Sequence, residues 1–178
     1  MKKLIQRYRA ILTIALVIVI LDQWTKGWVR ANIQPGATWL PESLAWLSPY
    51  ARIVHWYNTG AAFGMFKDAS MVFTVLAFIV IAAIIFYYPQ VERNDWSLRL
   101  ALSMQLGGAI GNLIDRITIG HVTDFVSVGN FPVFNVADAS ISVGAAVLFL
   151  GVFLQERAEK QEKARLAASE PARENNIE

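Results

Sequence analysis

An all-α membrane protein with four transmembrane helices and a small external segment is predicted by three observations. The 178-residue chain is 55% hydrophobic, above the roughly 45–50% usual in soluble domains, with a mean hydropathy of +0.40. Its apolar residues gather into four runs: Ala10–Leu21 continuing through Trp28, Met71–Tyr88, Leu98–Ile114 and Val136–Leu154. Its positive charges fall mostly between or beyond alternate ends of those runs.

A helix crosses the hydrocarbon core with about 20 mostly apolar residues, and the backbone there must satisfy its own hydrogen bonds. The second and fourth runs meet that length, and Pro89 stops the second. The first and third meet it with polar ends placed at the interface. The first run could also be read as a cleavable leader, with Lys2, Lys3, Arg7 and Arg9 as its basic start. No small-x-small cleavage site follows in DQWTKGWVR, so a retained helix is expected. The expected organisation is one integral domain over residues 1–155, with helices near 10–29, 71–88, 98–115 and 136–155. A charged tail follows over residues 156–178, helical for a few turns through its Glu156/Lys160 and Glu159/Lys163 spacings and disordered beyond Ala168.

With four crossings, the basic residues before the first helix, Arg93 and Arg99 between the second and third, and Arg157, Lys160, Lys163, Arg165 and Arg173 after the fourth share one side. Only Lys26, Arg30, Arg52, Lys67 and Arg116 remain for the other. Positive residues mark the cytoplasmic side, so both termini are expected there. The same bias accounts for the pI of about 9.0, and no basic folded patch or motif supports nucleic-acid binding.

The external stretch Ala31–Asp68 is too long for a plain connection. Pro35-Gly36, Pro41 and Pro49 punctuate it, Arg52–Tyr57 reads as a short strand, Asn58-Thr59-Gly60 as a turn, and Ala61–Phe66 as a short interfacial helix. Trp24, Trp28, Trp39, Trp46 and Trp56 fit an aromatic belt on that side. With no cysteine and two histidines, no metal site is expected.

The polar residues carry the chemistry. A charged side chain at membrane depth costs about 2.5–3.5 kcal/mol on insertion scales and usually marks function or a partner. Asp22 and Lys26 lie one helical turn apart and can neutralise each other. In GGAIGNLIDR, Gly107 and Gly111 allow close helix approach, while Asn112, Asp115 and Arg116 share one face at the outer helix end. Asp124 is expected in the loop after the third helix, and Asp138 at the start of the fourth, where the helix dipole favours an anion. Taken singly, each suits a loop carboxylate or a helix cap. Facing each other, they could share one proton and activate water as an acid–base pair. No serine-based triad competes. A carrier would place its site at the midplane between repeats, and none is found. A purely structural assembly factor would have no use for the two aspartates.

LDQWTK, YNTGAAFG, GGAIGNLIDR, GHVTDF and FNVADASI, in this order between Leu21 and Leu154, resemble the successive motifs of the lipoprotein signal peptidase (signal peptidase II) family. The resemblance implies an aspartyl endopeptidase of the bacterial inner membrane. Such enzymes cut signal peptides from prolipoproteins just before a diacylglyceryl-modified cysteine. It implies catalytic roles for Asp124 and Asp138, and a site lined or shaped by Asn58, Gly60, Asn112, Arg116 and Asn135, with Asp115 in support. Asp22 and Lys26 match family positions as supporting residues. An external β-cradle with a short surface helix would fall in Ala31–Asp68. No cofactor or metal is implied. Prolipoprotein signal peptides, membrane lipid and globomycin-type inhibitors are the implied partners, and a monomer is expected. The Val126–Val133 link is short for the family.

Overall fold

The computed structural model describes residues 2–60, 70–92 and 94–174. Helix α1 spans Lys2–Asn32, α2 Ser70–Tyr87, α3 Trp96–Ile119 and α4 Val136–Glu174. Strands β1 (Thr38–Trp39), β2 (Ala51–Asn58) and β3 (Val122–Val128) form one antiparallel sheet in the order β1-β2-β3. The chain is therefore mostly helical, with a small sheet fed from both α1 and α3.

The helix ends follow local chemistry. Pro89 converts the end of α2 into a short 3-10 turn, Tyr88–Gln90, because proline cannot donate to a preceding carbonyl. The Asp95 carboxylate caps α3 by accepting from the Leu98 N–H at 2.9 Å. Gly120 closes α3 at φ 81°, the left-handed cap geometry that glycine takes without strain.

The bundle is built inside out, as a bilayer requires. Along α2 only Ile84 is buried, and large apolar side chains such as Met71 and Phe86 face outward. The centre is α3, whose Ala101, Leu106, Gly107, Gly108 and Gly111 are buried against α1 and α4. A Cβ at Gly107 would lie 2.8 Å from Ile18 of α1, and one at Gly108 2.6 Å from Ile141 of α4. Glycine here is what lets the helices approach. A second cluster of Ile11, Ala15, Ile84, Tyr88 and Leu106 holds α1, α2 and α3 together at the other end.

Among the described residues three helical stretches are long and apolar enough to cross a membrane: Tyr8–Asn32, Ser70–Gln90 and Val136–Lys163. The protein is thus a multi-pass membrane protein by composition, but α3 is not among the three, unlike the four expected from sequence. Arg99, Gln105, Asn112, Asp115 and Arg116 dilute its apolar content, and its buried polar face finds partners in protein rather than facing lipid.

The sheet differs from expectation in two places. Asp124 lies on β3 rather than in a loop, and β1 adds a third strand. The expected short helix at Ala61–Phe66 lies outside the described residues. A 3-10 helix lies earlier in the same external stretch, at Glu42–Leu47. Trp28 and Trp39 meet edge to face at 5.2 Å, seating β1 on α1. The last helix continues to Glu174, past the Ala168 limit set from composition.

One irregularity in the sheet matters for function. Ile53 pairs with Val126, yet Trp56 pairs with Asp124, so β2 carries one extra residue between them. Strand side chains alternate faces, and one inserted residue reverses that alternation. Beyond the bulge Asn58 pairs with Val122. That places Asn58 on the same face as Asp124, as its diagonal neighbour.

Candidate active site

The C-terminal end of α3, the start of α4 and the edge of the sheet converge on two carboxylates. Asp124 is 1% exposed. Its Oδ2 accepts from Asn58 Nδ2 at 2.9 Å and its Oδ1 from Asn135 Nδ2 at 2.7 Å. Asn58 is itself oriented, because its Oδ1 accepts the Gly60 N–H at 3.0 Å in an Asn-x-Gly turn. Burial, reinforced by the charge of Asp138, pushes the Asp124 carboxyl up from its ordinary 3.8 to about 7, against the pull of the two amides.

Asp138 occupies the third position of α4. Asn135 is the N-cap: its Oδ1 accepts from the Asp138 N–H at 2.9 Å, while Asp138 Oδ2 accepts from the Asn135 N–H at 3.3 Å. This is a reciprocal capping box. It fixes Asp138 at the positive end of the helix. Asp138 Oδ1 accepts from Asn112 Nδ2 at 2.7 Å. Asn135 therefore bridges the two aspartates, through its amide to one and its carbonyl oxygen to the other.

Behind them lies a fully buried charge cluster. Lys26 Nζ reaches Asp22 Oδ2 at 2.8 Å, Asn112 Oδ1 at 2.9 Å and Asp115 Oδ2 at 3.4 Å. Asp22 Oδ1 accepts the Ala137 N–H at 2.9 Å, so a carboxylate from α1 satisfies an unpaired amide in the first turn of α4. Asp115 is held by Thr123 N–H at 3.0 Å, Gln23 at 3.2 Å and Arg30 at 3.3 Å. A lysine can only donate, so its contact with Asn112 Oδ1 turns the Asn112 amide toward Asp138.

A cavity of about 490 Å³ opens in front of this network, with Asn58, Gly60, Asn112, Arg116 and Asp138 at its polar end. Apart from Ser142 its remaining wall is apolar, with Phe73 of α2, Ile141 and Val143 of α4 and Phe131–Phe134 of the β3–α4 connection. The Arg116 guanidinium lies 5.6 Å over the Phe73 ring.

All ten sequence-selected residues fall in or behind this one site. Asn58, Gly60, Asn112, Arg116 and Asp138 line the cavity. Asp124, Asn135 and Asp115 form the buried layer next to it, and Asp22 and Lys26 the layer beneath. Gln23, Arg30 and Thr123 were not singled out. Gln23 sits inside the LDQWTK stretch and Thr123 inside VTDF, while Arg30 lies one turn beyond Lys26, the one spacing signal that could have marked it. Among the described residues no cluster of histidine and carboxylate side chains suits a metal ion.

Membrane-spanning helices around a pocket backed by two carboxylates define a multi-pass membrane protein with a buried polar site. Residues 14–154 match the model of the family described as signal peptidase (SPase) II. The chain is 41% identical over 154 residues to the lipoprotein signal peptidase of Halalkalibacterium halodurans, covering 84% of this chain and 96% of the relative. It is 36% identical to that of Pseudomonas putida, covering 83% and 89%. A solved structure titled as a bacterial membrane enzyme, determined by the in meso method at 2.3 Å, superposes with a TM-score of 0.75 at 26% identity, over 85% of this chain and 91% of that one. The chain belongs to the signal peptidase II family, and so to the proteases.

Proposed function

We propose that this protein is an aspartyl endopeptidase that removes signal peptides from prolipoproteins, cutting just before the diacylglyceryl-modified cysteine, with Asp124 and Asp138 as its catalytic pair. The observation that carries this reading is the unequal environment of the two carboxylates. Asp124 is buried and titrates near neutrality, whereas Asp138 lines the cavity at a helix N-terminus. Two carboxyl groups whose surroundings differ in this way divide into an acid and a base.

Asp138, ionised, takes a proton from a water molecule, and the water oxygen bonds to the scissile carbonyl carbon. Asp124, protonated, donates to the carbonyl oxygen. The Asn58 amide, which covers Asp124 Oδ2, gives way as that oxygen arrives. Collapse breaks the C–N bond: Asp138 returns its proton to the leaving amine, and the intermediate returns one to Asp124. Neither a metal nor an organic cofactor enters these steps.

The helix arrangement supports four crossings, with α3 as the polar central span, both termini in the cytoplasm and the carboxylates at the outer face of the bacterial inner membrane. Asn58, Gly60, Asn112, Arg116 and Asn135 shape the substrate site, supported by Asp115, Asp22 and Lys26. Globomycin-type cyclic peptides would occupy the same cavity. The protein works as a monomer, since the glycine face of α3 is consumed inside the bundle.

The test is cleavage of a diacylglyceryl-modified prolipoprotein by purified protein in detergent, beside Asp124→Asn and Asp138→Asn. Cleavage by wild type alone is expected. Full activity in both variants would sink the assignment.

A further inference from the structure

Several helical hydroxyls in this protein bond back to their own helix. Thr25 donates to Leu21 O at 2.7 Å, Thr74 to Ser70 O at 2.8 Å, Ser103 to Arg99 O at 2.6 Å and Thr118 to Ile114 O at 2.7 Å. Ser140 donates to Ala137 O at 2.8 Å. Such back-bonding is the ordinary refuge of a hydroxyl where water is scarce. Ser142 departs from it, as does Thr13 of α1, which is not among the residues lining the cavity. Ser142 is exposed, it lines the cavity, and its hydroxyl has no hydrogen-bond partner among the described residues.

Its position is specific. Ser142 follows Asp138 by one helical turn, about 6 Å along α4. Asn58, Asn112, Arg116 and Asp138 are polar residues of the cavity lining, and Ser142 lines it as well, between Ile141 and Val143 in the chain and one helical turn beyond Asp138. An extended peptide advances about 3.3 Å per residue, so 6 Å corresponds to two residues. If the bond to be cut sits at Asp138, the chain lying deeper along α4 is its amino-terminal side, because a signal segment reaches the outer face from the cytoplasm.

Resting on the peptidase reading above, we propose that the Ser142 hydroxyl donates a hydrogen bond to the backbone carbonyl of the second residue on the amino side of the scissile bond. A peptide entering an apolar slot leaves its carbonyls without water, and a single donor at this depth fixes how far the segment slides in. Ser142 would be a positioning residue: it sets which peptide bond meets the carboxylates and takes no part in the bond exchange.

The experiment compares two synthetic diacylglyceryl peptides, one native and one with that carbonyl replaced by a thioamide, whose sulfur accepts poorly. Wild type, Ser142→Ala and Ser142→Thr are assayed for kcat/KM on both. Wild type is expected to lose about five- to tenfold on the thioamide peptide, the worth of one hydrogen bond. Ser142→Ala should show that loss already on the native peptide and lose nothing more on the thioamide, while Ser142→Thr recovers most of the native rate. Full activity of Ser142→Ala, or losses that simply multiply, would overturn the contact. Failure of wild type to cut the native peptide would instead overturn the peptidase reading, and this inference with it.

Discussion

Replacing Asn135 by serine separates the two duties of that residue. Serine keeps an oxygen able to cap α4, so the helix start should hold. What is lost is Asn135 Nδ2, which donates to Asp124 Oδ1 at 2.7 Å and to Asn112 Oδ1 at 3.1 Å. A donor to a carboxylate favours the ionised form, and its removal makes Asp124 hold its proton more tightly. A hydrogen bond to a charged group is worth about 1.5–3 kcal/mol, and 1.36 kcal/mol corresponds to one pH unit. The Asp124 titration should therefore rise by roughly one to two pH units above its wild-type position near 7. Because Asp124 acts in its protonated form, activity falls as pH climbs through that value. The alkaline limb of kcat/KM, which reports the free enzyme, should sit near 7 in wild type and move upward in Asn135→Ser. The assay is detergent-phase cleavage of a diacylglyceryl peptide from pH 5 to 10, with thermal unfolding as the control for the cap. An active variant whose alkaline limb stays fixed or moves downward would refute both the role of the Asn135 amide and Asp124 as the acid.

Two further substitutions probe the layers behind the pair. Lys26→Met leaves Asp22 and Asp115 buried without their shared cation and should cost about 3–5 kcal/mol, read as a lower unfolding temperature; adding Asp22→Asn should recover part of it, and a Lys26→Met protein that melts like wild type would contradict the cluster's role. Gly111→Ala would place a Cβ 2.6 Å from Asp22 Oδ2, at a cost of about 1–3 kcal/mol with loss of activity; Gly27→Ala, with nothing within 4 Å, should be neutral or stabilising, and equal losses in the two would refute the close-approach argument.

Much of this was legible in the sequence because the bilayer restricts the possible folds. Apolar length located α1, α2 and α4, and motif order located the ten site residues. The third helix resisted the same reasoning. Its Asn112 and Arg116 line the cavity and Asp115 is buried behind it, and that polarity dilutes the hydrophobic signal that would mark a span. Strand β3 was missed because VTDF carries a charge in a run otherwise suited to a strand; Asp124 tolerates that place only because Asn58 and Asn135 meet it. The β2 bulge has no signature in ARIVHWYN, yet it decides that Asn58 faces Asp124. The partners of Asp22 were likewise hidden. Its lysine could be read from helical spacing, but its bond to Ala137 spans 115 residues of chain.

That last bond has a consequence for how the protein comes into being. The carboxylate leaves the ribosome near the start of synthesis and the amide it caps near the end. At about 5–20 residues per second, Asp22 waits several seconds before α4 exists. Through that interval the α1 carboxylate has only Lys26 of its own helix to neutralise it, and Asp124 has neither its bridging asparagine nor its partner Asp138. The nascent chain can form its first three helices and still lack both Asn135 and Asp138. Competence arrives with the last helix, so a chain truncated before Asn135 would reside in the membrane as an inert bundle rather than a partly active protease.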